Sequence, residues 1–173
     1  MSDSTDPTIG SIGPWWVIHT KSRCEKKMDS WFETHQFDHY LPVRAIAREY
    51  TRKKVIFQHP LFSGYAFGAF HSYQRAQVFA SGYAARIMEV TNQNGLLEEL
   101  NAIKLALAAG FELESCPYFT IGSKVRITTG AMKNVKGRLE GTGTKSRFII
   151  SVEFLQKSVA MEVDPMMLEM IAE

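Results

Sequence analysis

The side chains best suited to recognition lie in Pro60-Leu61-Phe62-Ser63-Gly64-Tyr65-Ala66-Phe67, just beyond the basic run Arg52-Lys53-Lys54. Large aromatic residues dominate the energetics of protein interfaces, and a concave aromatic patch suits an apolar partner helix. The same rings also make good core. A Pro–Gly bracket around apolar residues reads as a strand that bends and resumes, with Tyr65 and Phe67 on one sheet face and Ala66 and Gly68 on the other. The second candidate is electrostatic. Arg44, Arg48, Arg52, Lys53 and Lys54 crowd one segment, and such a cluster attracts nucleic-acid phosphates with strong salt dependence and little sequence preference. A solvated charged loop is the alternative reading. Both chemistries are binding chemistries.

Covalent chemistry has no comparable signature. The five histidines, at positions 19, 35, 39, 59 and 71, show no zinc-ligand spacing. Nucleophile elbow, P-loop, GxGxxG and paired-carboxylate patterns are missing, so the expectation is a non-enzyme that needs no metal and no cofactor. Cys24 and Cys116 lie outside any metal or redox spacing and read as reduced thiols.

The chain has 173 residues, a formal charge of +2 and 45% hydrophobic residues, which suits one domain or two small ones. The charge is unevenly placed. Residues 15–90 carry eleven Lys and Arg against six Asp and Glu, whereas residues 91–120 carry one against four. No apolar run approaches the roughly 18 residues of a membrane span. Residues 1–13 are polar, without a basic n-region or apolar h-region, and read as a flexible leader of a cytoplasmic protein.

The elements that must position these groups follow from periodicity. Trp15 to Thr20 is rich in aromatic and β-branched residues and reads as a strand, Trp16 and Ile18 on one face, Trp15, Val17 and His19 on the other. Ser22-Arg23-Cys24-Glu25 has the form of a capping box, followed by Cys24, Met28, Trp31, Phe32 and His35 at helical spacing. Tyr40-Leu41-Pro42-Val43 reads as an edge or an irregular strand, Arg48 to Lys54 as a hairpin tip, and Val55–Phe57 and Tyr65–Phe70 as strands. Ser72 caps a short helix to Ala80, closed by Gly82, and Ala85 to Val90 returns as a strand. Asn94 opens a helix with a Leu96, Leu97, Leu100, Ile103, Leu107 stripe and a stop at Gly110. Residues 111–120 read as a connector. Beyond it, Gly122, Gly130, Gly137, Gly141 and Gly143 punctuate short strands, the pattern of a small β-barrel. The fold class expected is α+β, a mostly antiparallel sheet with flanking helices followed by a five-stranded SH3-like barrel.

In order, Trp15-Trp16-Val17-Ile18-His19-Thr20-Lys21, the helix with Glu25, Tyr40-Leu41-Pro42, the basic hairpin and the Pro60–Phe67 bend resemble the N-terminal domain of NusG-like transcription elongation factors. Gly122-Ser123-Lys124-Val125-Arg126-Ile127, Gly130-Ala131-Met132 and Gly137 resemble the KOW motif that follows in that family. The resemblance covers about residues 15–173, with a polymerase-binding domain at 14–110, a linker at 111–120 and a KOW domain at 121–173. The short chain and the Pro-Leu-Phe wording are closer to the specialised antiterminators of bacteria, RfaH-like and capsule-operon regulators. Two departures stand out: Ser63 stands where the family usually has Pro, and the KOW loop at Asn134-Val135-Lys136 is longer.

The resemblance implies binding to elongating RNA polymerase, with suppressed pausing and termination. It implies that Phe62, Tyr65 and Phe67 dock on the clamp helices and that Ser72 and Tyr73 reach the opposite jaw. Lys21 and Arg23, with Arg48, Arg52, Lys53 and Lys54, would approach non-template DNA or nascent RNA. Met132, Lys133, Phe148 and Ile150 of the barrel would recruit a second factor, a ribosomal protein or a termination factor. A monomer without membrane contact is expected. The rival is a ribosome-associated or general nucleic-acid-binding KOW module that does not bind polymerase. For the Val159–Ile171 segment, helix-forming Met and Leu residues compete with Gly and β-branched residues, and the barrel is expected as the ground state.

Overall fold

The computed structural model describes residue 9 and residues 13–51, 53–118, 122–141 and 146–172. Arg52 of the basic run, most of the leader and part of the connector lie outside the described residues. The chain divides into two compact units, one of residues Gly10–Gln93, the other of Met1–Ile9 with Asn94–Glu173.

The first unit runs β1 (Trp15–Thr20), α1 (Glu25–Thr34), β2 (Asp38–Tyr40), β3 (Val43–Tyr50), β4 (Lys53–Pro60), β5 (Tyr65–Ala69), a 3-10 turn at Ser72–Gln74, α2 (Arg75–Ala80) and β6 (Ala84–Glu89). Four strands form an antiparallel sheet in the order β2-β5-β1-β6, while β3 and β4, among the described residues, pair only with each other. One sheet face packs Trp16, Ile18, Ala66, Phe70 and Ile87 against Met28 and Phe32 of α1 and Val78 of α2. Gly68 is required there, since a Cβ on it would lie 2.6 Å from Phe32 Cζ. Trp16 is held further by its Nε1–H donating to the Phe70 carbonyl at 2.8 Å and by a parallel stack on the Phe70 ring. Trp15 and Val17, on the opposite face, are buried as well, so β1 reads as a central strand rather than a half-exposed one.

Two local expectations are corrected and a third is decided. The Ser22–Glu25 capping box does not form: Cys24 occupies the cap position without a side-chain hydrogen bond, and Arg23 takes a positive φ of 58°. The turn before α2 is opened by His71 rather than Ser72, the Gln74 side chain accepting the His71 N–H at 2.9 Å. Tyr40-Leu41-Pro42-Val43 takes the irregular form of its two readings, with Tyr40 at the end of the edge strand β2. β2 ends at Tyr40 and β3 begins at Val43, with the Pro42 carbonyl accepting the Leu61 N–H at 2.8 Å.

The second unit contains α3 (Gln93–Ala108, whose first residue closes the other unit), β7 (Glu114–Pro117), β8 (Ser123–Ile127), β9 (Lys136–Glu140), β10 (Ser146–Val152), β11 (Lys157–Val163), a 3-10 turn at Pro165–Met167 and β12 (Leu168–Met170). Its antiparallel sheet has the order β12-β8-β9-β10-β11-β7, consistent with the small SH3-like barrel class expected. Six strands rather than five arise because the expected connector supplies β7, which pairs Cys116 with Ser158 and Glu114 with Ala160 of β11. From Val159 onward the chain is strand, 3-10 turn and strand, with no α-helix among the described residues there. Leu96, Leu100 and Ile103 of the predicted α3 stripe are buried, joined by Ala102 and Ala106.

On α3, Glu99 accepts the Glu153 N–H at 3.1 Å. Burial, with the neighbouring Glu153 and Glu98 charges adding to it, pushes its carboxyl from 4.5 up to about 7. A folded-state pKa above the unfolded one means stability that is complete below the unfolded value and lost as pH rises through the folded one. The wild type should therefore lose thermal stability relative to Glu99→Gln between about pH 5 and pH 8. Parallel melting temperatures for the two proteins across that range would refute this.

Candidate protein-docking and nucleic-acid interface

The aromatic bend is built by turn chemistry and then clamped from a distance. Pro60 ends β4, the Tyr65 N–H closes a turn onto the Phe62 carbonyl at 3.1 Å, and Gly64 sits at φ +85°, a conformation that suits glycine. Two long-range hydrogen bonds then fix Gly64. Its carbonyl accepts the Thr20 N–H at 2.9 Å, and its N–H donates to Glu25 Oε1 at 2.7 Å. Glu25 is buried at the first turn of α1, where a carboxylate is also favoured by the helix dipole.

This clamp brings together two of the sequence candidates. Lys21, Ser22 and Arg23 form an exposed turn between β1 and α1, closed by the Cys24 N–H on the Lys21 carbonyl at 3.0 Å. The His19 ring lies 5.3 Å from the Tyr65 ring, directly across the β1–β5 pair. The half-exposed Tyr65 and the exposed His19 thus form a pair, and the turn with the two exposed cations follows His19 by two residues.

The other aromatic candidates are placed differently. Phe62 and Phe67 are 1% and 0% exposed and meet edge to face at 6.5 Å. They brace the bend from within and offer a partner no area, because the register puts Phe67 opposite Val17 on an already buried face. Of the expected docking trio only Tyr65 reaches the surface. Tyr73 is 77% exposed and stacks on His71 at 5.4 Å, and Ser72 is exposed beside it. Arg75 serves structure: its guanidinium lies 5.7 Å over the Trp16 ring and donates to the Ile87 carbonyl at 3.1 Å.

In the barrel, Met132, Phe148 and Ile150 are buried, and Lys133 alone of the expected recruiting residues is exposed. The reason is geometric. β10 lies between β9 and β11, and both its faces are covered, Ile149 as well as Phe148. Met132 sits inside a loop tied by the Asn134 N–H to the Ile127 carbonyl at 2.7 Å and by the Ile127 N–H to Val135 at 3.0 Å.

Sequence reasoning missed the role of Glu25, whose S-x-x-E context was the available signal and pointed to a local cap instead. Its removal is testable. Glu25→Ala leaves the Gly64 N–H without its charged acceptor and should cost about 1.5–3 kcal/mol, read by chemical denaturation, with Glu25→Gln recovering much of the loss. An alanine variant as stable as wild type would show that the clamp does not hold the bend.

On the β3–β4 hairpin, Arg48, Lys53 and Lys54 are exposed and Arg44 half-buried. The Arg48 guanidinium lies 5.9 Å from the Phe57 ring centre. Among the described residues, no group of His, Cys, Asp and Glu is arranged to hold a metal ion, and no helix is long and apolar enough to cross a membrane.

Residues 13–96 match the family model described as transcription termination factor nusG. Among solved structures, NusG of Thermotoga maritima, from a study of its domain interaction, superposes with a TM-score of 0.52 at 17% identity, over 92% of this chain and 97% of that one. A chain of the MjSpt4:Spt5 complex aligns over the same shares at 13% identity, but its TM-score of 0.28 bears no weight. No curated protein matches the sequence. The ordered strand–helix–hairpin–bend unit and the match to the NusG family model fall on the same residues, 13–96.

Proposed function

We propose that the chain is a transcription elongation regulator that binds elongating RNA polymerase and suppresses pausing and termination, in the manner of the specialised RfaH-like antiterminators. The observation that carries this reading is the clamped bend within the NusG-matching segment, which sets Tyr65 and His19 beside the Lys21–Arg23 turn. Tyr65 supplies the apolar anchor for the clamp helices, and Lys21 and Arg23 supply cations for the non-template strand. Ser72 and Tyr73 contact the opposite jaw from their own exposed turn. Bridging both sides of the cleft favours the closed clamp, and a ligand shifts such an equilibrium by its preference for one state. No bond is made or broken. The C-terminal barrel recruits a second factor, a ribosomal protein or a termination factor, through a surface that includes Lys133.

Capture of core RNA polymerase by the full chain, compared with Tyr65→Ala and with Lys21→Gln/Arg23→Gln, tests the reading at positions whose replacement spares the core. Both variants should capture less polymerase. Undiminished capture by Tyr65→Ala would remove the docking surface. The second reading, a ribosome-associated or general nucleic-acid module, draws on the exposed basic hairpin. Salt-sensitive RNA binding without polymerase capture would favour it.

A further inference from the structure

We propose that the β3–β4 ribbon binds single-stranded nucleic acid along one defined face, with Phe57 and His59 stacking on bases and Arg44, Arg48 and Lys53 holding phosphates. This rests on the nucleic-acid reading of the hairpin and extends it from the tip to the length of the ribbon.

The register defines the face. Arg44 is opposite His59, Ile46 opposite Phe57 and Arg48 opposite Val55; directly opposed residues of an antiparallel pair share a face, and Lys53, two positions before Val55 on β4, joins them. Three cations therefore stand on one side of the ribbon. Glu49, the only acidic residue in the two strands, is opposite Lys54 and points to the other side. From the row of Arg44 to the row of Lys53, the face extends about 20 Å at ~3.3 Å per residue.

The aromatic groups lie within that charge. Phe57 is 38% exposed, with the Arg48 guanidinium 5.9 Å and the His59 ring 6.4 Å from its centre. Among the described residues β3 and β4 pair with each other alone, so neither ribbon edge is joined there to a larger sheet. A positive track interleaved with exposed rings is the arrangement that holds single strands, because every unpaired base offers a π-face. In a duplex those faces are stacked on one another, leaving Phe57 and His59 without partners. An apolar protein partner would leave three cations without counter-charges.

Fluorescence anisotropy of labelled oligothymidine and of a duplex of equal length, titrated with the full chain over a range of salt, tests the proposal. Phe57→Ala should weaken single-strand binding roughly 5- to 150-fold, the range of one lost base stack, and leave the salt slope unchanged. Phe57→Tyr should restore binding, whereas Phe57→Leu, which keeps the apolar packing, should not. Arg44→Gln/Arg48→Gln should reduce the log–log salt slope by about 1.4, at ~0.7 per phosphate contact. Equal binding by wild type and Phe57→Leu would overturn the stacking face. If the double-Gln variant alone then lost affinity, the phosphate reading of the hairpin would survive without it. Absence of nucleic-acid binding by the wild type, or tighter binding to duplex than to single strand, would likewise overturn the proposal.

Discussion

Phe67→Ala is expected to destabilise the first unit by about 3–5 kcal/mol, the cost of removing a buried phenylalanine ring. The ring is fully buried, edge to face with Phe62 and opposite Val17 in the β1–β5 pair. Truncation leaves a cavity behind the bend that carries Tyr65, so, on the docking proposed for that residue, polymerase capture should fall together with stability. Phe67→Leu separates the two effects. It conserves much of the volume and should cost about 1.5 kcal/mol or less, with capture preserved if Tyr65 makes the contact. Chemical denaturation of both variants decides the matter. An alanine variant with wild-type stability but no polymerase capture would return Phe67 to the surface role that the resemblance implies.

Gly137→Ala should have a comparable effect on the C-terminal sheet, for a different reason. An added Cβ would lie 2.5 Å from the Ile149 carbonyl oxygen and 2.6 Å from Phe148 Cζ. A ring can turn aside, but the Ile149 oxygen belongs to the backbone of β10, whose pairing with Arg138 of β9 sets the distance. Relief requires parting the two strands. Overpacking of this kind costs about 1–3 kcal/mol, occasionally more; the upper end corresponds to a fall in melting temperature of roughly 12–24 °C for a unit of this size. Gly130 provides the contrast. Its φ is +79°, yet its nearest neighbour, Met167 Cε, would be 3.5 Å from a Cβ, so alanine there should cost only the ~1–2 kcal/mol of left-handed backbone. A Gly137→Ala variant that melts like wild type would mean that strand proximity at Gly137 is not what selects glycine.

Much of this arrangement is legible in the sequence, and the failures share a cause. The aromatic and β-branched run of β1, the 3.6-residue stripes of α1 and α3, and the Gly-separated strands of the barrel are patterns that neighbouring residues impose on one another. Each appears in the structure within a few residues of its expected bounds. The Ser22–Glu25 capping box has the correct letters, yet Glu25 binds the Gly64 N–H, 39 positions away in sequence. A four-residue pattern contains no information about that competitor. Residues 111–120 read as a connector because Pro117 and the acidic groups argue against a central strand. As β7, however, the segment lies at the edge of the sheet, where Pro is tolerated.

The choice among Phe62, Tyr65 and Phe67 follows the same logic. Alternation along β5 puts Tyr65 and Phe67 on one face, but it is silent on where that face is open. The partners decide: Phe67 is opposite buried Val17, and Tyr65 is opposite exposed His19. The same holds for the ribbon, where Arg44 and His59 share a face only through the β3–β4 register. By itself, then, the sequence determines the kinds and order of elements, the position of the bend and the NusG resemblance, because backbone propensity, side-chain period and turn chemistry act between near neighbours. Tertiary structure alone decides which aromatic ring reaches solvent, which carboxylate clamps the bend and which cations stand beside rings, because burial and facing depend on pairing between segments far apart along the chain.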